Sequence, residues 1–266
     1  MKIESENLWK ETPGMCEEIP RITAYVPEKK KYAGAIVILP GGGYGCRAEH
    51  EGDGYARFLS DNGMTAFVVD YRVSPHRFPL PLLDARRAVR YVRYNAEKYG
   101  IDKTKVAIMG SSAGGHLAAM TSTYYEPIEF EGLDEIDNEN FVPNAQILCY
   151  PVIKLLGAGV AHLDSGMNLL GAERQVRIGE SLSPDLIATD KAPKAFIWHT
   201  FEDGCVNVLN SIDYAKKLKE VGVETEMHIF PRGGHGMGLA KGDTAVDKNV
   251  AQWTDLLLNW LEFMEF

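Results

Sequence analysis

The stretch Lys105-Val-Ala-Ile-Met-Gly-Ser-Ser-Ala-Gly-Gly-His-Leu-Ala-Ala119 decides the fold. Lys105 to Met109 is a largely apolar run with the look of a buried strand, and the residues after Gly114 are small helix formers. Between them Gly110, Ser112 and Gly114 match Gly-x-Ser-x-Gly. A strand that turns this abruptly into a helix leaves one serine at the tip with its hydroxyl exposed. Glycine on both flanks removes the Cβ atoms that would collide in so tight a turn. The amino terminus of the following helix adds a field that favours negative charge. Ser112 is therefore the candidate nucleophile. The five-residue pattern alone would also fit an ordinary strand-to-helix turn; the strand before it and the helix after it make it specific.

Working outward, short apolar runs alternate with helical patterns, which predicts a mostly parallel central sheet with helices on both faces, an α/β fold. The strand candidates are Ile22 to Val26, Ala35 to Leu39, Thr65 to Tyr71, Lys105 to Met109, Ala145 to Tyr150, Ala195 to His199 and Glu224 to Phe230. Several are apolar almost throughout, as strands covered on both faces are. After Pro81, the residues Leu82, Ala85, Val89, Val92 and Ala96 recur at steps of three and four and make one buried helix face. Arg86, Arg87, Arg90 and Arg93 point elsewhere, and a solvated face is expected for them. The last helix repeats the pattern with Val246, Val250, Trp253, Leu257, Trp260 and Leu261.

Two segments leave the alternation. Residues 126–140 are rich in Glu, Asp and Asn but lack the order of a calcium loop, and they read as a solvated excursion. Residues 157–189 form a small cap-like insertion in which His162 to Leu170 looks helical. With no repeat, linker or low-complexity tract, residues 1–266 read as a single domain.

The 266 residues carry a net charge of -9. That argues against nucleic acid as a partner, since such affinity comes from neutralising phosphates with Lys and Arg. No run is long and apolar enough to span a bilayer, and no basic start leads into an apolar stretch, so no membrane partner and a cytoplasmic location are expected. The four cysteines, Cys16, Cys46, Cys149 and Cys205, show no Cys-x-x-Cys spacing and support neither a metal site nor a disulfide framework. Cys46 and Cys205 lie near the site described next, but neither sits in a turn that would present a nucleophile.

Ile36 to Pro40 leads into Gly41-Gly42-Gly43-Tyr44. Three consecutive glycines after a buried strand let backbone N–H groups face a site without side-chain obstruction, which acyl transfer needs for its developing oxyanion. The candidate donors are the amides of Gly42, Gly43 and Ala113. Tyr44 beside them is a candidate wall for an acyl pocket, with core packing the alternative. A serine needs a base, and His235 in Pro231-Arg-Gly-Gly-His-Gly236 follows the last strand among glycines. His116, His199 and His228 read as structural. The base needs an acid to fix its tautomer, and Asp203 follows the strand ending at His199, with Glu202 as its competitor.

These residues resemble the small α/β-hydrolases related to hormone-sensitive lipase, the acetyl esterase, xylan esterase and feruloyl-esterase-like group. The likeness runs from Pro40-Gly-Gly-Gly-Tyr44 through His50-Glu-Gly52, Tyr71-Arg-Val-Ser-Pro75, Pro79 to Asp84, Asn168-Leu-Leu-Gly171, Leu182-Ser-Pro184, Trp198-His-Thr200 and Asn210-Ser211 to Gly234-His-Gly236. The chain order Ser112, Asp203, His235 is that fold's order. The resemblance implies an α/β-hydrolase with a minimal cap that removes short acyl groups, acetyl above all, from sugar esters. It favours Asp203 over Glu202. Pro40 stands where lipase-like relatives carry His, and Asn207 stands where such proteins usually have Pro, which predicts an acid loop of different shape.

The expected activity is thus a serine esterase with Ser112, Asp203 and His235 as its triad, needing no metal or organic cofactor, with a small-molecule ester, such as an acetylated sugar, as partner. A small serine peptidase is the first alternative, disfavoured because no propeller or large cap is there to select peptides. A non-catalytic binding protein on the same fold is the second.

Overall fold

The computed structural model describes residues 1–14, 17–242 and 245–266. In chain order its strands are β1 (Lys2–Asn7), β2 (Arg21–Val26), β3 (Ala35–Leu39), β4 (Thr65–Asp70), β5 (Val106–Ser111), β6 (Ala145–Cys149), β7 (Lys194–Thr200) and β8 (Thr225–Phe230). They form one sheet in the order β1-β2-β4-β3-β5-β6-β7-β8. The β1–β2 and β2–β4 pairs are antiparallel and the remaining five are parallel. The helices are α1 (Glu49–Asp61), α2 (Leu80–Tyr94), α3 (Ala96–Tyr99), α4 (Ser112–Thr123), α5 (Leu163–Leu170), α6 (Ala172–Ile178), α7 (Pro184–Ile187), α8 (Leu209–Glu220) and α9 (Trp253–Phe263).

Side-chain alternation along the central strands explains why they are apolar throughout. Val37 and Leu39 of β3 join Phe67, Val69 and Ile108 in one hydrophobic layer. Ile36 and Ile38 join Ala66, Ala107 and Met109 in the other, which α9 closes with Trp253, Leu257 and Leu261. The pattern predicts seven strands, each of which is present within a residue or two. The sequence reading missed β1: Ile3 is its one apolar residue, and it is largely exposed. An edge strand held by its backbone pairing to β2 leaves little hydrophobic period to read.

The expected solvated arginine face is overturned. All four arginines of α2 are buried, Arg86 at 0% exposure and Arg87 at 1%. Arg86 pairs with Glu131 at 3.0 Å, and Arg87 with Asp134 at 2.6 Å and Asp137 at 2.9 Å. Arg90 reaches Glu131 at 3.1 Å, while Arg93 donates to the carbonyl of Val142 at 2.7 Å. The acidic segment 126–140, expected to be a solvated excursion, is the cover that neutralises them. A buried guanidinium is tolerable only with such partners, so two stretches that each look solvated on their own bury one another.

In the amino-terminal segment, Trp9 packs on α2. Trp9 Nε1 donates to buried Asp84 at 2.9 Å, and its ring lies under the Arg87 guanidinium at 4.6 Å. Among the described residues no helix is long and apolar enough to cross a membrane.

Candidate active site

The parallel strands end in register, Leu39 beside Gly110, Ser111 beside Cys149 and Thr200 beside Phe230. Every loop with chemistry to offer therefore opens at the same carboxyl-terminal edge of the sheet. After β5 the chain turns into α4 at Ser112, whose φ is +53°, a left-handed conformation rarely held by a side-chain-bearing residue. The turn is too tight for anything but glycine at its flanks. A Cβ on Gly110 would sit 2.1 Å from the Gly114 carbonyl oxygen, and one on Gly114 would sit 2.1 Å from that of Leu39.

The Ser112 hydroxyl lies 2.8 Å from His235 Nε2, and His235 Nδ1 lies 2.7 Å from Asp203 Oδ2. The three side chains form one continuous line. The other carboxylate oxygen of Asp203 accepts the backbone N–H groups of Cys205 and Val206, each at 2.9 Å. His199, at the end of β7, brings Nε2 to 3.2 Å from Asp203 Oδ2. Burial works to raise the Asp203 pKa, but the hydrogen bonds from His199 and His235 outweigh it and hold the carboxyl well below the usual carboxylate range. Asp203 is thus an acceptor at every working pH. Glu202 is exposed, and Asp203 faces His235.

Gly41, Gly42 and Gly43 follow β3 and pass close to Ser112: a Cβ on Gly41 would lie 3.0 Å from Ser112 Cβ. Gly42 and Gly43 both have positive φ, +125° and +62°. The carbonyl of Gly42 accepts the amides of Gly45 and Cys46, closing a tight loop. Among the described residues no protein acceptor takes the N–H of Gly42, Gly43 or Ala113.

Helix α5 of the insertion runs between the loop that carries Asp203 and the glycine loop. At its head His162 lies 3.6 Å from the thiol of Cys205 in the acid loop. Near its end Asn168 Nδ2 donates to the Gly43 carbonyl at 2.9 Å. Asn207 Oδ1 caps the turn into α8 by accepting the Leu209 amide at 3.0 Å.

Tyr44 is not a pocket wall. Its ring is buried at 1% exposure, and its hydroxyl lies 2.8 Å from His116 Nδ1, under the loop rather than beside the cleft. His116 packs behind Ser112 as expected, its Nε2 donating to the Leu182 carbonyl at 2.8 Å. Cys46 and Cys205 are exposed, but His235 engages Ser112. Burial and the nearby Asp203 charge push the Cys205 thiol pKa up, away from thiolate chemistry.

The sequence reading gave no role to Glu51, Tyr150 or Asn168, although Glu51 and Asn168 stand in the motifs His50-Glu-Gly52 and Asn168-Leu-Leu-Gly171 that carry the resemblance. Glu51 had a signal: it shares a helix face with Tyr55 and Leu59, four and eight residues on, and so sits at a core position.

The BD-FAE family model matches residues 22–218. The chain belongs to this family. It is an α/β-hydrolase, and a prolyl oligopeptidase family model also matches residues 177–263. This BD-FAE member is 35% identical over 246 residues to endo-1,4-beta-xylanase B of Butyrivibrio fibrisolvens, which covers 90% of the chain and 38% of that protein. It is 34% identical over 223 residues to an acetylxylan esterase of Xylanibacter ruminicola, covering 82% and 44%. The chain thus spans less than half the length of both. Among solved structures, an acetyl ester-xyloside bifunctional hydrolase from Caldicellulosiruptor lactoaceticus superposes with a TM-score of 0.90 at 37% identity, covering 98% of this chain and 96% of that one.

Proposed function

We propose that the protein is a serine carboxylic-ester hydrolase that removes acetyl groups from sugars or oligosaccharides through an acyl-enzyme on Ser112. The observation that carries this reading is the unbroken line from the Ser112 hydroxyl through His235 to Asp203, with unengaged backbone amides beside it.

Ser112 Oγ attacks the ester carbonyl as His235 Nε2 takes its proton, and Asp203 holds Nδ1–H and stabilises the imidazolium. The amides of Gly42, Gly43 and Ala113 receive the carbonyl oxygen as it becomes an oxyanion. His235 returns the proton to the departing sugar hydroxyl. Water then gives a proton to His235 and attacks the acyl carbon, releasing acetate and restoring Ser112. The residues form one α/β-hydrolase domain, with 157–189 as a small cap. The free thiols of Cys46, Cys149 and Cys205 fit a cytoplasmic setting.

Support for the sugar-acetate substrate comes from the relatives named acetylxylan esterase and acetyl ester-xyloside hydrolase. A cap of three short helices offers little apolar surface for a long acyl chain, each methylene of which would gain roughly 0.8 kcal/mol from burial. The test is kcat/KM on acetyl, butyryl, octanoyl and feruloyl esters and on acetylated xylo-oligosaccharides. Acetyl esters should be turned over best, and acetate should leave the oligosaccharides. Clear superiority of octanoyl esters would replace the sugar-acetate reading with a lipase-like one. The prolyl oligopeptidase match favours a peptidase as the second reading, so amide substrates belong in the same screen.

A further inference from the structure

Glu51 is a carboxylate at 2% exposure with no part in the proton transfers described above. Its Oε2 accepts the Gly41 amide at 2.8 Å, at the root of the oxyanion loop. Its Oε1 accepts the Tyr150 hydroxyl at 2.7 Å. Tyr150 follows β6 with φ +37°, and its ring stands edge-on to the His235 imidazole at 5.1 Å between centroids. The amide of Gly238, three residues past His235, donates to the same hydroxyl at 3.1 Å. One buried carboxylate therefore ties the loop that would hold the oxyanion to the loop that carries the base.

We propose that Glu51 is a positioning residue for catalysis, setting the oxyanion loop through Gly41 and the His235 loop through Tyr150. This rests on the reading of Ser112 and His235 given above.

The charge fixes the direction of the network. A carboxylate only accepts, so Tyr150 donates to Glu51, and its hydroxyl accepts from Gly238 and from Tyr55 at 3.1 Å. Tyr55 in turn accepts from Ser111, the neighbour of the nucleophile, at 3.1 Å. Burial, reinforced by the Glu51 charge, pushes the Tyr150 pKa well up, so its proton stays on the hydroxyl. The position of Glu51 in the first turn of α1 favours a negative charge there. His50, one residue earlier, gives its Nε2 proton to the Gly236 carbonyl at 3.0 Å and braces the same loop from outside. Fully satisfied buried networks of this kind hold one geometry, and a partly satisfied one does not.

The substitutions separate geometry from charge. In Glu51→Gln the amide oxygen can keep the Gly41 amide while the amide NH₂ donates to Tyr150, with the hydroxyl chain reversed as far as Ser111. Glu51→Ala leaves the Gly41 amide and the Tyr150 hydroxyl without their acceptor. The experiment measures kcat and KM for p-nitrophenyl acetate on folded Glu51→Ala, Glu51→Gln and Tyr150→Phe, with Ser112→Ala alongside. The proposal expects kcat to fall about 100-fold in Glu51→Ala with KM nearly unchanged, the scale of losing one oxyanion donor. Glu51→Gln should recover to within about tenfold of the parent, and Tyr150→Phe should lose about tenfold, by the loss of hydrogen bonds of ordinary strength. Where Glu51→Ala does not fold, the kcat of Tyr150→Phe decides. Parent-like kcat in folded Glu51→Ala, or in Tyr150→Phe, would overturn the proposal. Activity surviving in Ser112→Ala would instead overturn the triad reading, so the two failures are told apart. The substrate carries no sugar, which keeps the test independent of the sugar-acetate assignment.

Discussion

His199 approaches Asp203 Oδ2 at 3.2 Å, the same oxygen that faces His235 at 2.7 Å. The second imidazole, itself held at Nδ1 by the Ser211 hydroxyl at 2.8 Å, fixes the carboxylate from behind. The acid is thus locked from three sides, by His199 and by the amides of Cys205 and Val206. Asp203→Asn keeps the shape but places an amide where Nδ1–H needs an acceptor, favouring the wrong tautomer of His235. Its kcat on p-nitrophenyl acetate should fall by up to about 10⁴-fold, while Glu202→Gln stays near the parent. The opposite ranking would remove Asp203 from the triad.

His116 makes a pH prediction about stability. Burial pushes its pKa down to about 4, against the opposing effect of its bond to Leu182. In the unfolded chain the imidazole titrates near 6.5. Between these values the unfolded state binds a proton that the folded state does not, so stability is full above about pH 6.5 and declines as pH falls toward 4. The loss over that window is about 3 kcal/mol at most. Denaturant unfolding at pH 7 and pH 4.5 should show a smaller pH effect in His116→Gln than in the parent. Equal slopes would mean that another group carries the acid sensitivity.

Asn168 of α5 holds the glycine loop through the Gly43 carbonyl. Asn168→Ala should lower kcat about fivefold to tenfold by releasing one hydrogen bond of roughly 1 kcal/mol. Asn168→Asp should cost more, since its carboxylate would face the carbonyl oxygen. Steady-state kinetics on p-nitrophenyl acetate checks the order, and an unchanged kcat in both would confine Asn168 to cap packing.

Much of the fold, and the grouping of Ser112, Asp203 and His235, was legible in the sequence because the signals are local. The strained turn at Ser112, the glycines at 41–43 and the loops bearing Asp203 and His235 each announce themselves within a few residues, and parallel pairing brings them to one edge. What was not legible depends on distant partners. Arg87 reads as solvated until Asp134 and Asp137, about fifty residues on, are seen to cover it. Glu51 stands in the motif His50-Glu-Gly52, but a role for it shows only where Gly41 and Tyr150 converge on it. Tyr44 sits beside the oxyanion loop in sequence, yet its positive φ and its bond to His116 turn it into the core.

In the proposed reaction an acyl group passes through Ser112. Mixing the protein with p-nitrophenyl acetate, quenching in acid within the first turnovers and mapping the peptides by mass spectrometry tests it directly. An acetyl group should appear on Ser112 in the parent and be absent from Ser112→Ala, which should fold normally and release no acetate. An acetyl group on Cys46 or Cys205 instead, or steady acetate release from Ser112→Ala, would contradict it.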